Sequence, residues 1–190
     1  MSGRLRQAAL LFAVLSIFTL SGQSSDPAIL KEAGWKPLLD GRSTAGWQAE
    51  NPAKGSWVAT KTVAWNPDVN PRELVASGGR GALIANGPKG GVTNLVTGRT
   101  FGDIELYAEF LLAQKSNSGV YLHGLYEVQV FDSFGVEKPK SSDCGGIYER
   151  WIDNRGVGGA APRVNASRPP GDWQSFHIWF QAPRFDGVGK

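Results

Sequence analysis

Polar and apolar residues alternate along several short stretches of the chain, most regularly in "FGDIELYAEFLLA" (residues 101–113). Every second residue from Ile104 to Leu112 is apolar, and polar residues such as Glu105 and Glu109 fall between them. Successive side chains of a β-strand point to opposite faces, so this stretch predicts a strand with one apolar and one polar face.

A second alternating stretch, "NSGVYLHGLYEVQVFDSFG", predicts two strands, Val120–His123 and Leu125–Phe131, joined at Gly124. In the second of these strands, apolar side chains alternate with Glu127 and Gln129. One face of that strand is therefore apolar, and the other carries a carboxylate and an amide. The polar face is either solvated exterior or the lining of a pocket, because antiparallel sheets commonly expose one side to water.

Further short strands are predicted between loops that contain many Gly, Pro and Asn residues. The predicted positions are Ser56–Val63, Gly81–Ala85, "CGGIYERW" and "DWQSFHIWFQA", and residues 152–170 are predicted to form a long loop. The segment "DPAILKEAGW" is either a short helix or a lead into the domain, and no convincing amphipathic helix or internal repeat follows it. Many short strands with frequent turns, together with 25 Gly and 11 Pro, predict an all-β sandwich.

The first residues have the pattern of a secretory signal peptide. Arg4 and Arg6 precede the apolar run "AALLFAVLSIFTL", and small polar residues follow it. We therefore predict a leader over residues 1–23, a domain over residues 24–190, and export to the periplasm or beyond; the alternative is a retained N-terminal anchor. The run is too short to serve comfortably as a membrane span, so no span is expected after cleavage.

Charge and cysteine content narrow the possible partners. The formal net charge is +3, and removal of the leader with its two Arg lowers it to +1. The remaining basic residues are scattered, so nucleic acid is not an expected partner. Cys144 is the single cysteine, so no intrachain disulfide can form, and we expect it to be partly buried and inert. Stability must then come from an apolar core, which a chain of this length can form.

Five segments, in this order along the chain, resemble the 3-keto-disaccharide hydrolase family, which is also described as 3-keto-glucoside 1,2-lyases and 3-keto-2-hydroxy-glucal hydratases. The segments are "GWKPLLDGRSTAGWQ", "FGDIELYAEFLL", "NSGVYLHGLYEVQVFDS", "CGGIYERW" and "RPPGDWQSFHI". The resemblance covers nearly all of the mature chain. It implies a concanavalin A-like jelly-roll β-sandwich of two antiparallel sheets, with the site on the concave sheet.

The resemblance favours a pocket on the polar face of the hairpin. Tyr121 and His123 are predicted to share one face of their strand, where they can meet Glu127 and Gln129 across the tight connection at Gly124. Our hypothesis assigns the catalytic roles to Glu127, as base or metal ligand, and to His123, as electrophile or proton shuttle. Gln129 would orient the sugar, and Asp132 would position a neighbour or bind a cation.

The spacing of acids in this stretch argues against an ordinary glycosidase. Laminarinase-like jelly rolls place three acids at an E-x-D-x-x-E spacing, whereas Glu127, Gln129 and Asp132 put an amide in the middle. Two flanking carboxylates are the usual requirement for glycoside hydrolysis. A 3-keto sugar needs one base instead, because its carbonyl makes the neighbouring C2–H acidic. Proton abstraction, 1,2-elimination and hydration would then give net hydrolysis.

The remaining candidate residues would bind substrate or metal. Asn117, Tyr121, Tyr148 and Trp151 are predicted substrate contacts, although Tyr148 is equally an ordinary core tyrosine. No cofactor is certain. A divalent metal ion held by Glu127 and Asp132 is compatible with the chemistry, but the sequence shows no dense ligand cluster.

The sequence does not decide the roles of the two histidines, His123 and His177. The family usually has Arg where His123 stands, and the alternative is a histidine that simply satisfies a hairpin. His177 lies on the same strand face as Trp179, and alternation alone does not decide whether that face is concave.

Other interpretations of the sequence remain. The same jelly roll serves lectins, so the alternative function is a non-catalytic lectin-like carbohydrate-binding module, and a third is a structural envelope domain with a dead site. The family pattern also continues past the last strand of this chain. The resemblance therefore implies that the last strands are missing, and we expect an isolated chain that is poorly active or prone to aggregation.

Overall fold

The fold is all-β and antiparallel, as the alternating patterns predict. The computed structural model describes residues 28–87 and 91–186, so the predicted leader lies outside the described residues. Within them, the helical elements are two short 3₁₀ turns, Ala28–Lys31 and Pro52–Lys54. The strands are β1 Trp47–Ala49, β2 Val58–Thr60, β3 Thr62–Trp65, β4 Leu74–Ser77, β5 Leu83–Ala85, β6 Leu95–Thr97, β7 Ile104–Phe110, β8 Asn117–Leu122, β9 Tyr126–Phe131, β10 Arg150–Ile152, β11 Arg155–Val157 and β12 Gln174–Phe180.

The strands form antiparallel pairs: β1 with β6, β2 with β5, β3 with β4, β7 with β12, β8 with β9, and β10 with β11. The longest pair is β7–β12, whose register runs from Gln174 opposite Phe110 to Phe180 opposite Ile104. Ile147 forms an antiparallel bridge to Val128 of β9 and another to Ala160. The residues around Ile147 and Ala160 therefore continue the sheet beyond β9.

The core lies where the apolar faces of these pairs meet. Phe110 and Phe176 pack on one face of β7–β12, with ring centroids 4.7 Å apart. At the end of β12, the Phe180 ring lies 5.7 Å from the Tyr126 ring on the apolar face of β8–β9. Leu122, Val128 and Val130 on that face are buried. This packing of apolar faces is consistent with a β-sandwich.

Buried polar side chains hold the loop that follows β9. The Ser133 side chain, which is 1% exposed, donates to Asp143 Oδ1 and accepts from the Cys144 backbone N–H, both at 3.0 Å. Asn165, which is about thirty residues further along the chain, donates hydrogen bonds from its side-chain amide to the carbonyls of Ser133 and Val136. Cys144 is buried, and this burial raises the pKa of its thiol.

Several predicted boundaries were wrong. The strand predicted to reach His123 ends at Leu122, because His123 has a left-handed backbone with φ of 53°. The predicted loop over residues 152–170 contains β11, and "CGGIYERW" forms a bridge at Ile147 before β10 begins. Three- and four-residue strands contain too few alternations to stand out from loops. No apolar helix of membrane-spanning length occurs in the part of the chain that the structure describes.

Candidate functional site

The candidate site is the polar face of the β8–β9 hairpin. Tyr121 lies opposite Glu127, and Gly119 lies opposite Gln129 in the antiparallel register. Residues opposite each other share a face, and residues two apart along a strand share it too, so Asn117 belongs to the same face. The other face of the hairpin is the one that enters the core. The sequence pattern therefore placed these residues on a common face, as the structure has them.

Tyr121 and Glu127 are joined directly. The Tyr121 hydroxyl donates a hydrogen bond of 2.6 Å to Glu127 Oε2. Partial burial of the phenol, then this bond and the charge of Glu127, raise the pKa of Tyr121 to about 12. Tyr121 is therefore a neutral hydrogen-bond donor at physiological pH, although half of the residue (53%) is exposed.

Gly119 provides the space in which the Glu127 side chain lies. A Cβ built on Gly119 would collide with the Oε1, Cδ and Cγ atoms of Glu127. The carboxylate therefore rests directly on the bare backbone of the neighbouring strand, while Tyr121 holds its other oxygen. The "NSG" motif at the start of β8 thus has a local physical reason, because any side chain at position 119 would displace the acid.

Gln129 lies beside Glu127 on this face and is almost completely buried, at 3% exposure. Its Nε2 donates to Asn117 Oδ1 at 3.2 Å and to the Ser142 carbonyl at 3.3 Å. Its Oε1 is buried and has no hydrogen-bond partner among the described residues. Buried polar atoms are ordinarily paired, so this oxygen is an exception on the hairpin face.

Tyr148 also reaches this face. Its backbone N–H donates to the Glu127 carbonyl at 2.9 Å, which places it alongside β9. Tyr148 and Glu50 are the two smallest causes of the raised pKa of Tyr121, and both act on it through their charges. Glu50 is held by a 3.1 Å hydrogen bond from Asn94 Nδ2.

Glu50 was not predicted from the sequence, since no local pattern marks it. It follows the short strand β1, far from the hairpin along the chain, and tertiary packing alone brings it near Tyr121. The Ser142 carbonyl was missed for the same reason, because a loop delivers this backbone group to Gln129.

Asp132 lies just after β9, outside the face that Tyr121, Glu127 and Gln129 share. Its Oδ2 accepts from the backbone N–H of Lys115 at 2.8 Å, and its own N–H donates to the Ser116 carbonyl. These bonds hold the turn before β8, where Lys115 has a left-handed backbone with φ of 59°. Because Asp132 is an odd number of residues from Glu127 and beyond the end of β9, strand alternation does not bring the two carboxylates to one face.

This placement bears on the metal ion that the sequence allows. In residues 28–87 and 91–186, no three or more His, Cys, Asp or Glu side chains are grouped to hold a metal ion. Asp132 is engaged with a backbone amide, and Glu127 with a phenol. This donor set does not fit a divalent metal site.

His123 was predicted to share the face of Tyr121 and Glu127, and this prediction was wrong. Its left-handed backbone turns the side chain out of the strand alternation. Its ring lies 4.9 Å from the Phe180 ring, and its Nε2 lies 2.9 Å from the Phe101 carbonyl. Phe180 also contacts Tyr126, whose side chain is on the apolar face, so His123 packs at the edge of the core.

Trp151 and His177 belong to other strands. Trp151 is 67% exposed on β10, opposite Gly156 of β11. His177 lies on the polar face of β7–β12, where its Nε2 is 2.6 Å from Glu105 Oε1. No recorded hydrogen bond or ring contact joins either residue to the hairpin face among the described residues, and a role for Trp151 in binding substrate stays a prediction.

The arrangement can perform proton abstraction beside a carbonyl. In the β8–β9 pair, Glu127 is the carboxylate on the polar face, Tyr121 and Tyr148 supply phenols near it, and Gln129 supplies a buried amide. One positioned base with neutral donors suits the formation of an enolate.

Comparison with known proteins gives a family for this chain. Residues 34–188 match the family described as the 3-keto-alpha-glucoside-1,2-lyase-like domain. No curated protein and no solved structure gives a significant match. The matched range contains the whole hairpin, Tyr148 and Glu50.

Proposed function

This chain belongs to the 3-keto-alpha-glucoside-1,2-lyase-like domain family, and from that membership we propose that it cleaves 3-keto-glycosides by proton abstraction, elimination and hydration. The family points to a carbohydrate enzyme that acts on 3-keto-glycosides. The observation that supports the finer proposal is the Glu127 carboxylate, held by Tyr121 at 2.6 Å and seated on Gly119.

In the first step Glu127 removes the proton from C2 of the sugar. The C2–H bond breaks, its electrons move toward the C3 carbonyl, and an enolate forms. Carbonyl polarisation makes this hydrogen acidic, so a carboxylate within hydrogen-bond reach is an adequate base. Glu127 suits the task because one oxygen is tied to Tyr121 and the side chain is fixed against the backbone of β8.

Neutral donors must then stabilise the charge on the enolate oxygen. The one O–H of Tyr121 is donated to Glu127, so the phenol of Tyr148, which lies alongside β9, is the proposed donor to the enolate oxygen. Donors placed where charge develops lower the barrier more than donors to the ground state do. Gln129 is buried and donates to Asn117 Oδ1, and it would orient the sugar by holding the exposed Asn117 in position for a ring hydroxyl.

Elimination and hydration complete the reaction. The enolate electrons return to form the C1=C2 double bond and the C3 carbonyl, and the C1–O bond breaks. The leaving oxygen takes a proton, which protonated Glu127 can supply. Water then adds across C1=C2, with its hydroxyl on C1 and a proton on C2, so that the sum of the steps is hydrolysis. His123 has no part in this scheme, since its ring packs against Phe180.

The proposal is tested by replacing the base. In Glu127→Gln, turnover of a 3-keto-glucoside should fall by about a hundredfold or more, as expected for the loss of a general base. Exchange of the C2 hydrogen with deuterated water should fall with it. Glu137→Gln is the matched control, because Glu137 is exposed and lies in the loop after β9. Equal turnover in both variants would remove Glu127 from the mechanism.

A lectin-like binding module is the second candidate function. The exposed indole of Trp151 and the amide pair of Gln129 and Asn117 are features that a sugar-binding protein also uses. Such a module would bind 3-keto-glucoside without turnover and without C2 exchange. The wild-type exchange measurement therefore separates the two functions.

We also propose that the protein is exported, on the basis of the charged and apolar pattern of residues 1–23. This is tested by measuring, with mass spectrometry, the molecular mass of the protein recovered outside the cytoplasm. A mature chain that begins after the apolar run is the expected result, and full-length chain confined to the cytoplasm would contradict it.

A further inference from the structure

The polar face of the β7–β12 pair carries a second cluster, which the proposed chemistry does not use. His177 lies opposite Tyr107 and Trp179 lies opposite Glu105 in the antiparallel register. Glu109 completes the set, since it lies two residues beyond Tyr107 and accepts a hydrogen bond from its hydroxyl at 3.0 Å. We call this surface, formed by Glu105, Tyr107, Glu109, His177 and Trp179, the Trp179 face.

The indole of Trp179 is exposed but held in place. It is 69% exposed, and its ring centroid lies 3.9 Å from that of His177, with the planes 41° apart. His177 is itself fixed by Glu105 at 2.6 Å, and the ring of Trp35 lies 6.0 Å from its ring. A large apolar ring that is both exposed and fixed is preorganised for binding, because binding a ligand costs little further side-chain entropy.

The surroundings of the indole favour a sugar over a protein surface. A protein interface usually presents a contiguous apolar patch, whereas Trp179 stands among the carboxylates of Glu105 and Glu109 and the phenol of Tyr107. Carboxylate oxygens accept hydrogen bonds from hydroxyl groups, and the flat indole can pack against C–H groups. Hexoses of the glucose configuration offer both, since their hydroxyls lie around the rim and their C–H groups cover the ring faces.

The length of the face indicates more than one sugar ring. From Glu105 to Glu109 the strand advances four residues, which is about 13 Å at the usual rise per residue. We propose that the Trp179 face is a binding site for glucose-configured oligosaccharides, separate from the chemistry at Glu127. One ring stacks on Trp179, and the carboxylates of Glu105 and Glu109 accept from the hydroxyls of this ring and the next.

Calorimetric titration of the full chain with cellotetraose, a flat glucose oligomer, tests this proposal. Loss of one ring-stacking contact weakens affinity by about tenfold, so Trp179→Ala should bind about ten times less tightly than wild type. Trp179→Phe should lie between the two, because a smaller ring remains. Glu105→Gln should also bind less tightly, since it removes a charged acceptor and loosens His177.

Two further variants locate the binding. Trp151→Ala removes an indole of similar exposure (67%) on β10, and Glu127→Gln removes the proposed base; both should bind cellotetraose as wild type does. An unchanged affinity in Trp179→Ala would overturn the proposal, as would a wild-type chain that shows no binding at about 10 mM ligand. Loss of binding in Trp151→Ala or Glu127→Gln would place the oligosaccharide on those surfaces instead and would also overturn it.

These outcomes are independent of the enzymatic proposal. Turnover of a 3-keto-glucoside reports on Glu127, whereas affinity for an unoxidised oligosaccharide reports on Trp179. An inactive chain that binds cellotetraose through Trp179 would contradict the first proposal and support the second.

Discussion

The hydroxyl of Tyr121 donates a 2.6 Å hydrogen bond to Oε2 of Glu127 across the two strands of one hairpin. This bond joins the residue that we propose as base to a phenol that keeps its proton at physiological pH. Each partner fixes the other, so the carboxylate has a defined position before any sugar arrives. Such positioning is what a general base requires.

Removal of the Tyr121 hydroxyl tests the importance of this bond. In Tyr121→Phe, kcat for a 3-keto-glucoside should fall by about ten- to hundredfold, because the hydrogen bond that positions the charged base is lost. Tyr107→Phe makes the same chemical change on β7, where the hydroxyl donates to Glu109 instead. Equal kcat values in the two variants would show that the Tyr121 hydroxyl has no catalytic effect.

Gly119→Ala should displace the Glu127 carboxylate, since the added methyl group would occupy its position. We expect kcat to fall by about tenfold or more, with at most a small change in the melting temperature, because the side chain of Glu127 can move toward solvent. Gly102→Ala is the matched control, as a Cβ there meets nothing within 4 Å. A fully active Gly119→Ala protein would contradict the fixed geometry.

The raised pKa of Tyr121 predicts how the stability of the fold changes at alkaline pH. The folded-state pKa is about 12, against an ordinary value of 10.0, so the folded chain retains a proton that the unfolded chain releases. The stabilising contribution is complete below pH 10 and is lost as the pH rises toward 12. Phenolate absorbance should show a late tyrosine ionisation that Tyr121→Phe removes. Titration of all the folded tyrosines near pH 10 would refute the environment described for Tyr121.

Ser133→Ala should destabilise the fold without touching the hairpin face. Its hydroxyl is 1% exposed, donates to Asp143 and accepts from the Cys144 N–H. Loss of these buried bonds should lower the free energy of unfolding by about 1–3 kcal/mol, measured by urea denaturation. Ser142→Ala changes an exposed serine of the same loop and should have an effect within about 0.5 kcal/mol. Similar midpoints for the two variants would mean that the buried hydroxyl contributes little.

The alternation of apolar and polar residues predicted both the long strands and the composition of the hairpin face. Strands β7, β9 and β12 contain three or more alternations each, and alternation fixes which side chains share a face. Glu127 and Gln129 could therefore be assigned to one side. Strands β1 and β6 have three residues each and carried no readable period.

His123 and Glu50 show where reasoning from the pattern fails. His123 continues the alternation of β8 in the sequence, but a left-handed residue in the turn breaks the geometric rule on which alternation depends. Glu50 reaches Tyr121 only through tertiary packing, and no local sequence pattern encodes such a contact.

The contact between Gly119 and Glu127 also sets a rule for redesign of the hairpin. One position supplies the volume that the other fills, so the two must be exchanged together. An aspartate at 127 is shorter by one methylene and could be combined with an alanine at 119, whereas the alanine with the native glutamate would move the carboxylate away from its position. A library that varies the two positions jointly would thus sample acids of different reach on an unaltered backbone.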